Sequence, residues 1–451
     1  MTKPLRIGAG AGFADDRIAP ALAMAEAGAV DFLVFECLAE RTVAREVLAR
    51  RENDEHGYNP HLADRMRTVL PACLRHGIRI VSNMGAANPV AAARRSVEIA
   101  HELGHSRLRA AAITGDEVNE AVAARPDLPL MESGEPVESI LPRMVSANAY
   151  LGADAVLAGL ETGADVVLTG RVADPSLFLA PAMHVFGWGH DDLDCIAQGT
   201  ATGHLLECAA QLTGGYFADP TRPEKYVPEL ADIGSPIAEI GCDGAVSLYK
   251  LPGTGGRLDR RTATEQLLYE VHDPAAYVTP DCILDLTEVD LLHAGRDRVA
   301  VTGARAAPAP KHLKVLIAYS DGYIGEGQVG YAGIGAVERA ELAAETVQER
   351  LRRRGFNYEE IRVDLIGCTS LHGAASGPSD PYEVRLRVAA RTPDRDAARA
   401  VGFEVRAMHV NGPTGGGGGS VPNVREVMAV QSVLLPRELV CPEVTVIGDG
   451  P

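Results

Sequence analysis

Short apolar segments alternate with helical segments through the first half of the chain, and this alternation restricts the fold more than any other feature. The strand-length segments are LRI (5–7), DFLVFE (31–36), IRIVSN (78–83), RLRAAAITG (107–115) and ADVVLTG (164–170). The helical segments between them include one that Asn88-Pro89 opens with an N-cap residue and a first-turn proline. Apolar strands that alternate with helices indicate burial on both faces. The first half is therefore predicted to form a doubly wound, mainly parallel sheet.

The second half changes character, because its strand-like segments show more alternation of polar and apolar residues. They cover 245–251, 282–289, 312–319, 361–367 and 383–391, with helical segments at 334–354 and 393–408. We therefore predict an α/β protein of two domains. Residues 1–240 form a Rossmann-like α/β domain, and residues 241–451 form a second α/β domain that contains a glycine-rich loop. The expected ligand site is the crevice between the two domains.

Charge and composition exclude several classes of function. The net charge of −18 argues against nucleic acid or an anionic membrane as the main partner, since both require a basic surface. No apolar run approaches the ~18 residues of a membrane span and no signal peptide is evident, so we expect a cytoplasmic protein. The eight cysteines include no C-x-x-C pair, which favours reduced thiols over disulfides or structural zinc.

Polar residues follow each strand of the predicted parallel sheet. Ligands of open α/β sheets bind beyond the carboxyl ends of the strands, so these residues are the candidate catalytic ones. They are Glu36, Asn83, Asp116, Arg171 and Asp174. Glu36 or Asp116 would be the general acid or base, Asn83 would orient a polar group, and Arg171 would hold a carboxylate. The alternative is structural: Asp174 caps the next helix, and Arg171 only pairs with it.

Two glycine-rich segments are candidate anion-binding loops, because exposed backbone N–H groups can contact a phosphate. Their residues are Gly8, Gly10 and Gly12 near the N-terminus, and Gly415, Gly416 and Gly417 in NGPTGGGGGS. The first segment departs from the dinucleotide-binding fingerprint, since Phe13 occupies the third glycine position. The second lacks the G-K-[ST] ending of an ATP-binding P-loop. No cofactor is identified from the sequence.

Other patterns carry less weight. HELGH (101–105) matches the zinc-protease pattern, but Gly104 should end the helix before His105, so no metal site is predicted. His204 and Glu207 have the spacing of a helix-surface pair. Cys37 is interpreted as a small buried residue at a strand end and not as a nucleophile. There is no G-x-S-x-G elbow of a hydrolase.

Longer motifs reveal a family resemblance. The segments FLVFECLAERT, ANAYLGADAVLAGLETGADVVLTGRVADPSLFLAP, GHLLECAAQLTGGYFADP, TATEQLLYEVHDPAAYVTPD and DGYIGEGQVGYAG resemble the acyclic terpene utilisation (AtuA-like) family over nearly the whole chain. NMGAANP differs slightly from the form found in relatives but keeps Asn83, Gly85, Asn88 and Pro89. The resemblance implies catabolism of branched or terpenoid acids through acyl-CoA intermediates. Longer relatives carry a further C-terminal domain, so a small companion subunit is expected.

The resulting functional hypothesis is an enzyme that acts on a branched-chain or terpenoid carboxylate or acyl-CoA. Lyase or hydratase chemistry is favoured because no redox, P-loop or serine-nucleophile signature is present. A CoA thioester is a possible substrate, and a homo-oligomer is expected. The alternative is a non-catalytic nucleotide- or CoA-binding subunit that assembles with the small companion.

Overall fold

The chain forms two compact units. The computed structural model describes residues 3–377 and 379–448. Unit 1 runs up to Ala318 and resumes at Val430, whereas unit 2 is Tyr319–Ala429. This division differs from the predicted boundary near residue 240. The strands on either side of that position pair with each other in one sheet, so unit 1 continues through it.

Strands and helices follow one another along both units. In chain order, the strands are β1 (Leu5–Ala11), β2 (Phe32–Phe35), β3 (Arg79–Ser82), β4 (Ala110–Thr114), β5 (Met144–Ala149), β6 (Val166–Thr169), β7 (Pro236–Ile240), β8 (Val246–Lys250), β9 (Tyr277–Val278), β10 (Cys282–Asp285), β11 (Asp290–Gly295), β12 (Arg298–Thr302), β13 (Arg305–Pro308), β14 (His312–Ala332), β15 (Glu360–Ile366), β16 (Glu383–Thr392), β17 (Asn423–Pro436) and β18 (Glu443–Ile447). The helices are α1 (Ala19–Glu26), α2 (Glu40–Glu52), α3 (Leu62–His76), α4 (Pro89–Glu102), α5 (Asn119–Ala123), α6 (Ala153–Glu161), α7 (Ser176–Phe186), α8 (Leu193–Leu206), α9 (Arg260–Leu267), α10 (Ala336–Arg353) and α11 (Arg395–Asn411).

Unit 1 contains a mixed sheet with the strand order β11-β12-β8-β7-β1-β2-β3-β6-β4-β18. The strands β1, β2, β3, β6 and β4 are parallel, as the apolar segments predicted. Antiparallel strands extend both edges, through β7 on one side and β18 on the other. The α/β class and the parallel core are confirmed.

Helices cover both faces of the parallel strands. Side chains of α1, α3 and α4 form one apolar core with the strands, for example Met24, Met66 and Val97 around Leu33 and Ile80. Helices α6, α7 and α8 pack together as the layer on the opposite face. Burial on both faces explains why β2, with the sequence FLVF, has no polar side chain.

The order of the strands creates a switch point between β3 and β6. The chain leaves β3 toward α4 on one face and leaves the neighbouring β6 toward α7 on the other. Such a divergence opens a crevice at the carboxyl ends of the strands. The start of α4 is fixed by Asn88, whose Oδ1 accepts a hydrogen bond of 3.2 Å from Ala91 N, as predicted.

Unit 2 is a split βαβ arrangement. Its elements follow the chain order β14-α10-β15-β16-α11-β17, and its sheet has the order β15-β16-β14-β17. One face of the sheet packs against α10 and α11 through an apolar core that includes Val347, Leu386, Val388 and Val401. The alternation noted in the sequence reflects this one-sided burial.

Candidate functional site

Glu36 and Asn83 meet at the carboxyl ends of β2 and β3, as predicted for neighbouring parallel strands. Asn83 Nδ2 donates to Glu36 Oε1 at 3.0 Å, and Leu38 N donates to the same oxygen at 2.9 Å. Asn83 Oδ1 accepts from Cys37 N at 2.7 Å. Both side chains are buried. Asn83 therefore fixes both the Glu36 carboxyl group and the backbone that follows it.

The environment of Glu36 favours its protonated form. Burial and, next in size, the charge of Asp174 raise the pKa of Glu36 to about 8, against the opposing effects of Arg171 and the hydrogen bonds from Leu38 and Asn83. A carboxyl group with this pKa holds a proton at neutral pH. Such a shift at a sheet switch point is typical of a functional acid.

Arg171 follows β6 and is only 1% exposed. Its guanidinium donates to the carbonyls of Leu38 and Val172 and to the Asp174 carboxylate. The guanidinium carbon also lies 4.6 Å from the centre of the Tyr150 ring, in the geometry of a cation–π contact. Acceptors of the chain itself thus occupy most of the donors with which Arg171 was predicted to hold a substrate carboxylate.

Asp174 forms the ion pair with Arg171 that the sequence offered as the alternative. The prediction that Asp174 caps the next helix is wrong: α7 begins at Ser176 after Pro175, and no side chain of the described residues caps it. The Arg171 guanidinium holds the Asp174 carboxylate instead. Burial raises the pKa of Asp174, while the charge of Arg171 opposes this shift.

A cavity of about 370 Å³ lies beside Asp174, and we call it the Asp174 cavity. Its volume suits a small organic ligand. The wall is mostly apolar, with a few polar side chains. The lining residues are Met131, Tyr150, Ala173, Asp174, Pro175, Tyr277, Val278, Thr279, Pro280, Pro310, His312, Leu313, Lys314 and Leu434. Among the five candidate catalytic residues, Asp174 is the one whose side chain reaches this cavity.

Three residues that no sequence pattern indicated, Lys314, Tyr150 and Glu40, form a polar network at the cavity wall. Lys314 Nζ lies 3.0 Å from Glu40 Oε1, and the Tyr150 hydroxyl donates to the same oxygen at 2.8 Å. Lys314 and Tyr150 are joined by the backbone as well, through Tyr150 N and Lys314 O at 2.9 Å. More than 150 residues separate Lys314 from Tyr150 in the sequence, so only strand pairing brings them together.

Asp116 faces a different cavity from Asp174. Its Oδ2 accepts from Arg171 N at 2.9 Å and from Asn148 Nδ2 at 3.0 Å. Burial, the largest influence, raises the pKa of Asp116 to about 6. The Arg171 backbone therefore contacts Asp116 while its side chain contacts Asp174. The structure brings Glu36, Asn83, Arg171 and Asp174 together and connects Asp116 to them through a main-chain hydrogen bond.

His204 and Glu207 form a pair, but the prediction that it lies on a helix surface is wrong. His204 Nδ1 is 3.1 Å from Glu207 Oε1, and His204 Nε2 is 3.1 Å from Leu267 O. Both side chains are buried, because α8 packs between α7 and α9. Burial raises the pKa of Glu207 to about 7, although His204 opposes the shift. The His204 ring lies 5.3 Å from the ring of Tyr277, which lines the Asp174 cavity.

The N-terminal glycines serve close packing. Gly8 and Gly10 lie within β1, where added Cβ atoms would come within 3 Å of Met24 and Phe35, respectively. A Cβ on Gly12 would lie 2.4 Å from the backbone carbon of Cys208. Gly12 N donates to the carboxylate of Asp16 at 2.9 Å. The Asp16 carboxylate thus accepts the hydrogen bond from Gly12 N, which was predicted to contact a bound anion.

The second glycine segment belongs to unit 2, between α11 and β17. Gly417 and Gly330 exchange two backbone hydrogen bonds of 2.8 and 3.0 Å, which attach the segment to β14. Gly415 has a φ of +77°, a conformation that favours glycine. Gly416 lies against the ring of Tyr331. The role of Gly415, Gly416 and Gly417 in binding an anion stays a prediction.

The weaker sequence patterns have clear structural outcomes. Helix α4 ends at Glu102 and Gly104 has a φ of +85°, so His105 lies outside the helix as predicted. Cys37 is buried as predicted, and burial raises the pKa of its thiol. Within residues 3–377 and 379–448, no group of three or more His, Cys, Asp or Glu side chains is arranged to bind a metal ion. No helix in these ranges has the length and apolarity needed to cross a membrane.

The fold and the site together define an α/β protein with an acidic cluster, which consists of Glu36 and Asp174, at its sheet switch point next to a largely apolar cavity. The chain belongs to the acyclic terpene utilisation family, because the model described as "Acyclic terpene utilisation family protein AtuA" matches residues 5–446. This match confirms the resemblance seen in the sequence motifs. Neither the curated proteins nor the solved structures include a significant match to the chain.

Proposed function

We propose that this chain is an enzyme of the lyase or hydratase type that acts on a branched-chain or terpenoid carboxylate or its CoA thioester. The Asp174 cavity is the proposed substrate site. Asp174 is the proposed acid–base group, because Asp174 lines the cavity and Glu36 does not. Membership of the acyclic terpene utilisation family supports the substrate class.

The observation that carries the proposal is the pairing of two carboxyl groups with one guanidinium. Glu36 and Asp174 both interact with the charge of Arg171, and the charge of Asp174 raises the pKa of Glu36. In the proposed mechanism, the direct ion pair with Arg171 keeps Asp174 ionised, and Glu36, whose pKa is raised to about 8, holds a proton. Two carboxyl groups with different protonation states supply what acid–base catalysis needs.

The cavity wall fits the reaction. In the proposed dehydration, Asp174 takes a proton from the carbon next to the substrate carbonyl, and the negative charge moves toward the carbonyl oxygen. Lys314, which also lines the cavity, stabilises that charge. Asp174 then gives this proton to the hydroxyl group on the next carbon, the C–O bond breaks so that water leaves, and the electron pair of the enolate forms the carbon–carbon double bond. The apolar side chains of Met131, Leu313 and Leu434 would contact the hydrocarbon part.

The test is a mass-spectrometric assay in deuterium oxide with methyl-branched α,β-unsaturated and β-hydroxy acyl-CoA thioesters and the free acids. We expect addition or loss of water and incorporation of deuterium next to the carbonyl. Asp174→Asn should lower kcat/KM by about a thousandfold. Glu36→Gln should alter the pH dependence of kcat/KM. Asp154→Asn is the matched control, because Asp154 is exposed and pairs with His190 on the surface.

Full activity of Asp174→Asn would refute the assignment of Asp174. Binding of the thioesters without any turnover or exchange would refute an enzymatic role and favour the second candidate below.

The second candidate is a non-catalytic nucleotide- or CoA-binding subunit that assembles with copies of itself or a small companion. It is favoured by large apolar side chains that unit 2 exposes, including Ile334, Leu371 and Tyr382. Ile334 and Tyr382 lie close together, since Gly333 N donates to Tyr382 O at 2.7 Å. The molecular mass in solution of the wild type and of Ile334→Ser tests this candidate.

A further inference from the structure

A second cavity of about 500 Å³ lies at the carboxyl end of β4, and we call it the Asp116 cavity. It has the size of a ligand site. The residues that matter for its chemistry are Asp116 and Asn148, which are buried, and Asp54, Glu117, Arg50 and Arg94, which are exposed. The proposed reaction in the Asp174 cavity uses none of these side chains.

The buried part of the wall has an unsatisfied hydrogen-bond acceptor. Asn148 is 3% exposed, and its Oδ1 has no hydrogen-bond partner among the described residues. Its orientation is fixed, because Nδ2 donates to Asp116 Oδ2. A buried amide oxygen without a partner is costly, so the site favours a ligand that brings a donor such as a hydroxyl group.

The exposed part of the wall supplies positive charge. Arg50 Nη1 is anchored by Ala87 O at 2.8 Å, and its ion pair with Glu117 is long, at 3.4 Å. Among the described residues, the ion pair of Arg94 is a 3.8 Å contact with Glu55. Both guanidinium groups can therefore turn to an anion without losing a strong ion pair.

Two further features fit the same ligand. The first turn of α4, with Pro89 and Val90, also lines the cavity, and the N-terminus of a helix favours anions. Asp54 lines the cavity too, and its carboxylate is an acceptor suited to hydroxyl groups. Cationic groups together with several acceptors indicate an anion that carries hydroxyls.

We propose that the Asp116 cavity binds a phosphate ester that carries hydroxyl groups, with the phosphate at Arg50 and Arg94 and a hydroxyl at Asn148. This site is separate from the proposed function, which concerns the Asp174 cavity. Free polyol phosphates and the ribose phosphate of a nucleotide both combine a phosphate ester with hydroxyl groups.

Isothermal titration calorimetry on the full chain tests the proposal. The ligands used are glycerol phosphate, adenosine monophosphate, n-propyl phosphate and inorganic phosphate. We expect glycerol phosphate or adenosine monophosphate to bind at least about tenfold more tightly than n-propyl phosphate, which has no alcohol hydroxyl group. The tighter of the two identifies the source of the ligand.

Arg94→Gln should weaken binding about tenfold, as expected for loss of one charge-assisted contact. Arg95→Gln is the matched control on the same helix, because Arg95 pairs with Glu98 and Glu102 at 2.8 and 3.1 Å. Asn148→Ala should abolish the preference for hydroxyl-bearing ligands. Asp174→Asn should bind them as the wild type does, which separates this site from the proposed catalytic one.

Lack of binding by all four compounds would overturn the proposal. Equal affinity for glycerol phosphate and n-propyl phosphate, or equal effects of Arg94→Gln and Arg95→Gln, would do the same.

Discussion

The two units of the chain differ in how far they bury the cationic partners of their carboxylates. Unit 1 buries both partners in some of its charged pairs, as in Arg171 beside Glu36 and His204 with Glu207. Unit 2 has an apolar core, and its buried carboxylates Asp364 and Glu404 pair with Arg387 and Arg354, which stay partly exposed. Burying charges costs free energy unless they are paired. We therefore expect buried charges to cost unit 1 more folding free energy than unit 2.

The units also differ in what they expose. In unit 2, Leu371, Tyr382 and Val410 are among the most exposed large apolar side chains of the described residues. The proposed catalytic groups all lie in unit 1. The proposed acid–base chemistry and the proposed association are therefore assigned to different units.

The largest expected effect comes from removing the buried cation of unit 1. Arg171→Met leaves Glu36 and Asp174 without their common partner and should lower the free energy of unfolding by about 3–5 kcal/mol at pH 7. Arg387→Met in unit 2 should cost about 1 kcal/mol, because its ion pairs are partly exposed. Urea denaturation of both variants measures the difference. Equal losses would contradict the contrast between the units.

The next effect is the pH dependence that Glu36 confers. Its folded pKa of about 8 lies above the ordinary value of 4.5, so the folded chain holds a proton that the unfolded chain releases. The resulting stability is present at low pH and is lost as the pH rises from 4.5 to 8, by up to about 1.4 kcal/mol per pH unit. Glu36→Gln should flatten this slope.

Glu326 in unit 2 is the control for that experiment. Arg387, through a hydrogen bond, lowers the pKa of Glu326, so Glu326 is ionised in both folded and unfolded chains above its ordinary pKa. Glu326→Gln should leave the slope unchanged over the same range, measured by denaturation at several pH values. A steep slope that survives in Glu36→Gln would show that another group causes it.

The glycine segments give a smaller effect. Gly12→Ala in unit 1 places a Cβ against the backbone of Cys208 and should cost about 1–3 kcal/mol through overpacking. Gly417→Ala in unit 2 meets no atom within 4 Å and should change stability by less than about 0.5 kcal/mol. Thermal unfolding of the two variants tests this; a destabilised Gly417→Ala would show that the loop is more constrained than its contacts suggest.

The smallest effect on stability is expected at the exposed apolar side chains of unit 2. Tyr382→Ser should change the unfolding free energy by less than about 0.5 kcal/mol yet weaken any self-association, measured by sedimentation velocity. Tyr216→Ser is the matched control in unit 1, because Tyr216 is as exposed as Tyr382. Equal association of both variants and the wild type would remove the proposed role of unit 2.

The sequence predicted local features well and the boundary of the units poorly. The strands of the parallel core were found from their apolar runs, and Asn88 was identified as an N-cap from its position before Pro89. Unit 1 continues through residue 240 because β7 and β8 join its sheet, which is a long-range pairing without a local signal. The segment that begins at Val430 also belongs to unit 1, and no local sequence pattern indicates this.

The sequence by itself determined the α/β class, the parallel core and the convergence of Glu36 and Asn83, because carboxyl ends of neighbouring parallel strands share one edge of a sheet. It also determined the family, through long motifs that the family match confirms. Only the tertiary structure decided that Arg171 turns to Asp174, that Asp116 faces another cavity and that Lys314 joins the wall beside Tyr150. Side-chain direction and contacts between distant segments depend on packing, which local sequence patterns do not encode.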